Sequence, residues 1–166
     1  MNYHIKQATE SDMEFLWEML YQAIHVQEGQ PRPSRDILKD PNISRELSNW
    51  GRAEDKAILA IDDQDKPLGA GWIRLFDETN QTYGYLDNET PVVGGLAILP
   101  EYRGKGIGTK LLKALMNEAR VAGFKSISLS VDPTNSALHL YEKFGFKKEG
   151  INGTSWDMRA MLRGEF

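Results

Sequence analysis

The sequence predicts an α/β protein with one mixed, strongly twisted sheet flanked by helices, and three observations carry that reading. Two apolar runs, 57–61 and 68–76, flank Asp62-Asp63-Gln64-Asp65-Lys66-Pro67, the pattern of a β-hairpin. After Gly106 the apolar residues switch to helical spacing, and over 126–131 they return to a period of two. Hairpins and two strand-to-helix crossovers in one chain call for a mixed sheet rather than a wholly parallel one.

Taken in order, residues 3–7 form a short first strand. Thr9-Glu10-Ser11-Asp12 supplies helix caps, and Phe15, Leu16, Met19, Leu20 and Ala23 make the buried stripe of a first helix that ends between His25 and Gly29. The stretch 29–40, with two prolines and mixed charge, is an irregular connection. A second helix, capped by Asn42 and stopped by Gly51, places Ile43, Leu47 and Trp50 on one face. The hairpin follows, then a short strand at 82–86 and a β-prone segment at 92–99 that ends at Pro100. Ile107, Leu111, Leu112, Leu115, Met116 and Ala119 form the stripe of a long helix that stops before Gly123. Ile127, Leu129 and Val131 alternate with serine in a half-buried strand. Asp132-Pro133-Thr134-Asn135 is turn and cap chemistry, 137–144 is a short helix closed by Gly145, and 146–149 and 154–162 are the last two strands.

One domain over residues 1–166 fits the length, and 40% hydrophobic residues suffice for a core. A formal net charge of -4 gives neither a basic nucleic-acid footprint nor a polybasic membrane patch. With no cysteine, thiolate metal sites and covalent acyl-cysteine chemistry are excluded, and His4, His25 and His139 have no metal-ligand spacing. The absence of a signal-like start and of any long apolar run predicts a cytoplasmic protein.

The segment Arg103-Gly104-Lys105-Gly106-Ile107-Gly108-Thr109 is the most informative. Its glycines let the backbone approach a ligand while main-chain N–H groups converge at the start of a helix, whose dipole favours an anion, with Arg103 and Lys105 adding charge. Standing alone, such a loop is also read as a glycine-rich helix start. It is not a Walker loop, because Lys110 follows Thr109 instead of preceding a Ser or Thr at the required place. Nor is it a dinucleotide fingerprint, which needs the chain's first strand in front of it.

Its neighbours are more specific. Leu96-Ala97-Ile98-Leu99-Pro100-Glu101-Tyr102 leads into the loop, and Asn135-Ser136-Ala137-Leu138-His139-Leu140-Tyr141-Glu142-Lys143-Phe144-Gly145-Phe146 follows it. Together the two blocks resemble the GCN5-related N-acetyltransferase superfamily, strongly from Leu96 to Gly150 and by element order before that. The resemblance implies acetyl-CoA as co-substrate with no metal, its pantetheine along Leu96, Ala97 and Ile98, its pyrophosphate on Gly104 to Thr109, and a cofactor contact from Asn135, which is equally a helix cap. Gly94-Gly95 is either a β-bulge that frees N–H groups for the thioester carbonyl or a concession to close packing.

By the same resemblance, Tyr141 would protonate the departing thiolate, while its plain reading is a core tyrosine. Relatives often carry a glutamate on or before the strand at 92–99. Here that strand has no carboxylate, so Glu89 and Asp87 are the nearest candidates for a base, and both also read as solvated loop acids. Trp17, Trp50, Trp72 and Trp156 are expected to be mostly core or rim residues. The implied function is transfer of an acetyl group to a primary amine of a small molecule or peptide by direct attack in a ternary complex. A non-catalytic acyl-CoA-binding module is the alternative, and a homodimer is a further implication. Asp36, Asp40, Glu46, Asp87 and Glu89 favour a cationic acceptor.

Overall fold

The computed structural model describes residues 2–162. Seven strands form one sheet in the order β1-β2-β3-β4-β5-β7-β6, where β1 is Tyr3–Gln7, β2 Lys56–Asp62, β3 Pro67–Arg74, β4 Val92–Ile98, β5 Ser126–Val131, β6 Lys147–Asn152 and β7 Ser155–Met161. Every neighbouring pair is antiparallel except β4 and β5. The sheet is therefore mixed, and the chain leaves β4 through α3 (Ile107–Val121) to enter β5 in parallel.

Alternation along β2 feeds two cores. Ile58 and Ala60 join Leu111, Leu112, Leu115 and Met116 of α3 on one face; Ala57 and Leu59 join Leu16, Met19 and Leu20 of α1 (Met13–Ala23) on the other. Each buried Leu contributes about 1.5–3 kcal/mol of transfer free energy, which is why these two helices are fixed against the sheet. α4 (Leu138–Lys143) completes the α3 side through Leu138.

Three sequence expectations need correction. The first helix ends at Ala23, short of the expected end between His25 and Gly29. The second helix is a single turn, α2 (Pro41–Ser44), capped by Asp40, whose carboxylate accepts the Asn42 N–H at 2.9 Å. Pro41 at the first helical position moves the cap to Asp40, and Asn49 at φ 57° turns the chain before Trp50. Residues 82–86 are not a strand. Tyr85 N–H closes a turn on Thr82 O, and Gly84, at φ +93°, lies so close to β5 that a Cβ would stand 2.8 Å from the Leu129 carbonyl carbon. Among the described residues no helix is long and apolar enough to cross a membrane.

Candidate active site

β4 and β5 share one register pair, Val92 with Ser128, and then separate. The separation is prepared by a bulge: Trp72 faces Gly95 but Ile73 faces Val93, so Gly94 is an extra residue in β4. The glycine pair forms a bulge and also admits close packing, because the Trp72 ring stands where a Gly95 Cβ would be. Beyond the bulge, Leu99 N–H still bonds back to Leu68 O of β3. By strand alternation the backbone groups of Leu96 and Ile98 then point the other way, into the gap toward β5.

That gap opens into a cleft of about 670 Å³ lined on one side by Gly94, Gly95, Leu96 and Ile98, and on the other by Ser130, Asn135 and Tyr141. Gly108 closes its α3 end. Gly104 and Gly106 sit at φ +77° and +81°, and Gly106 caps α3. The first bond from the cap is Lys110 N–H to Gly106 O at 3.3 Å, so Ile107, Gly108 and Thr109 present N–H groups that the helix cannot use. A Cβ built on Gly104, Gly106 or Gly108 meets nothing within 4 Å, so the loop is an open cradle. Its oriented N–H groups suit a pyrophosphate.

The charged residues of the loop are placed unevenly. Arg103 lines the cleft, but its Nε–H donates to Ile98 O at 3.0 Å, tying the loop to the end of β4. Lys105 and Ala97 do not line the cleft; Lys105 is exposed, and Ala97 is buried on the α1 side of the sheet. Asn135 Oδ1 accepts the Ala137 N–H at 2.9 Å in the turn before α4, whose N-cap is Ala137 with no side-chain cap bond, and the residue also lines the cleft.

Tyr141 reaches the cleft from α4 with its ring edge-on to Phe146 at 5.8 Å between centroids. Burial pushes its phenol up to about 12, which keeps it protonated at neutral pH. Glu89 is exposed on the loop before β4, and neither it nor Asp87 lines the cleft. Although burial acts in the opposite direction, the Asp87 carboxyl is held below its ordinary range by the Glu89 N–H, Thr90 and Arg159, whose guanidinium lies 3.1 Å away. None of the four tryptophans lines this cleft or the pocket described next.

The acid that does approach β4 is Glu46, from the segment just after α2. It is 7% exposed, Thr82 Oγ1–H donates to its Oε1, and its Oε2 has no hydrogen-bond partner among the described residues. A Cβ on Gly94 would collide with that Oε2 and stand 2.5 Å from Trp72 Nε1, so the carboxylate lies against the bulge. Burial pushes Glu46 up to about 7, against the opposing pull of Thr82, Arg74 and Arg45. Its backbone is held by buried Arg74, which donates to the carbonyls of Arg45 and Ser48 at 3.0 and 2.6 Å and pairs with Asp55 at 3.0 Å through two parallel bonds. Sequence reading counted Glu46 only among the acids of the acceptor side. Its 48-residue separation from Gly94 hides a contact that no local pattern records.

Comparisons with known proteins bear on the family and the fold. The profile of the Acetyltransferase (GNAT) family matches residues 17–146. The chain is 39% identical over 80 residues to a [ribosomal protein bS18]-alanine N-acetyltransferase of Haemophilus influenzae, covering 45% of this chain and 53% of that protein. It is 30% identical over 141 residues to a mycothiol acetyltransferase of Nocardiopsis dassonvillei, covering 84% of this chain and 38% of that one. The chain thus spans about half, or less, of the length of these relatives. In fold it is similar to the PaiA N-acetyltransferase of Thermoplasma acidophilum in complex with coenzyme A, with a TM-score of 0.66 at 22% identity, covering 97% of this chain and 99% of that one. The profile match extends over most of the chain, from α1 to the end of the Tyr141 block, and the chain belongs to the Acetyltransferase (GNAT) family.

Proposed function

We propose that this protein transfers an acetyl group from acetyl-CoA to a primary amine by direct attack within a ternary complex. The observation that carries the reading is the gap between β4 and β5, which joins an open glycine cradle at one end to a protonated tyrosine on the facing wall. The residues present fit the co-substrate. The backbone groups of Leu96 and Ile98 pair with the pantetheine amides as a further strand would, and the N–H groups of Ile107, Gly108 and Thr109 take the pyrophosphate. Bound there, acetyl-CoA supplies an activated acyl thioester.

The chain's own groups do the rest. Main-chain N–H groups at the Gly94 bulge stabilise the developing oxyanion, in a site where fixed dipoles act with little competing water. Tyr141 donates its proton to the sulfur as the C–S bond breaks. No step needs a covalent acyl-enzyme, because the amine and thioester are held together in one cleft. The test is release of free thiol from acetyl-CoA across a panel of primary amines. Amine-dependent release, slowed in Tyr141→Phe, supports the reading. Tight CoA binding with no amine-dependent release would favour the binding-module alternative.

A further inference from the structure

Beside the donor cleft lies a second pocket of about 360 Å³, and the two share a boundary at Val93, Gly94, Ser130 and Asn135. Its walls include Leu20, Ile24, Ile43 and Val131, and Tyr83, 53% exposed, stands among its lining. Glu46 lines this pocket on the side of the bulge. Its Oε2, which has no hydrogen-bond partner among the described residues, lies against the Gly94 backbone at the boundary of the two pockets.

We infer that this pocket receives the acceptor, that the acceptor is a primary amine with a single positive charge on an apolar body, and that Glu46 removes the proton from its ammonium group. The inference rests on the acetyltransferase reading and supplies its missing half. A slender apolar body is matched by the aliphatic walls. A second cation would meet His25, Tyr83 and Asp132, the other titratable lining groups, and Asp132 is already engaged by Thr134 and Gln27. The charges facing Glu46 itself are Arg74 from β3 and Arg45 from its own segment, with Arg74 neutralised by Asp55.

The step balances. The ammonium gives one proton to the Glu46 carboxylate, and the freed nitrogen forms the C–N bond. The C–S bond then breaks, and sulfur takes the Tyr141 proton. The new amide nitrogen returns its surplus proton to the tyrosinate, and Glu46 releases the first proton to solvent. A carboxyl titrating near neutrality is suited to both halves of that cycle.

The test uses wild type and Glu46→Gln, which mimics the neutral carboxyl, with two acceptors of similar shape. One is 2-phenylethylamine, protonated at neutral pH; the other is phenylacetic hydrazide, whose terminal nitrogen is not. Glu46→Gln should lower kcat/KM for the amine roughly a hundredfold and for the hydrazide less than about threefold. The break of the amine profile near pH 7 should disappear with the carboxyl, leaving only the rise set by the amine's own ionisation. Equal slowing of both acceptors, or a break near pH 7 that survives in the variant, overturns the inference. So does a wild-type preference for spermidine over 2-phenylethylamine. A readout independent of turnover is the pH dependence of Tm, which should flatten in Glu46→Gln; identical curves overturn the assignment of Glu46 and leave the transferase reading intact. Thiol release with neither acceptor defeats both.

Discussion

A carboxyl raised to about 7 and a phenol held protonated are the two side chains on which the proposed acid–base chemistry rests, and each owes its state to burial. For Glu46 the folded value, about 7, lies above the ordinary 4.5. The folded protein therefore binds more protons than the unfolded chain between those values, and stability falls as pH rises through that window. The loss is about 3 kcal/mol, complete above pH 7 and absent below pH 4. Urea unfolding of wild type and Glu46→Gln across that range checks it, and parallel curves would refute it. Tyr141→Phe removes the acid without changing the ring's contact with Phe146, so kcat should fall between about tenfold and a thousandfold while CoA affinity stays the same. Gly94→Ala forces a methyl against Trp72 and Glu46, and should cost roughly 1–3 kcal/mol in thermal unfolding as well as activity.

At the scale of elements, the short segment from α2 to Trp50 has too few helical turns to hold its own shape. It is fixed from outside, by the Arg74 guanidinium on β3, which spans Asp55, the Arg45 and Ser48 carbonyls and the Trp50 ring at 5.1 Å. Arg74→Met takes from buried Asp55 its closer counter-ion, leaving Arg52 at 3.8 Å, and should lower stability by about 3–5 kcal/mol in urea denaturation, with Glu46 displaced and the acid limb of activity shifted. The same dependence explains what the sequence did not disclose. Strands and long helices were legible because their periods are local: β1, β5, α3 and the hairpin of β2 and β3 fall where alternation and stripe spacing put them. The loop at Gly104 to Gly108 was legible as the start of α3, which Gly106 caps, because glycines ahead of an apolar stripe of helical spacing mark a helix start. Segment 41–50 follows neither period, since its geometry is set by a residue on β3, and 82–86 is shaped by packing onto β5 through Gly84. A carboxylate was expected on or just before β4, at Glu89 or Asp87, whereas the acid that lies against the Gly94 backbone is Glu46, from the segment after α2.

Across the whole molecule, the parallel pairing of β4 with β5 ends almost as soon as it begins, and the two helices that pack beside the gap, α1 and α3, lie on opposite faces of the sheet. The cleft and the adjoining pocket meet where the strands separate, as the proposed two-substrate reaction requires. Saturating CoA, binding only the folded chain, should raise Tm by roughly 5–10 °C at about a hundred times its Kd, and ATP should not. The central claim is that the bulge between those compartments is where an acyl group passes from thioester to amine. Its most direct test is steady-state thiol release from acetyl-CoA by the wild-type protein with and without a primary amine, with the acetylated amine identified by mass. Stoichiometric thiol and N-acetyl product, both dependent on the amine, are expected; CoA binding with no amine-dependent product would contradict the account.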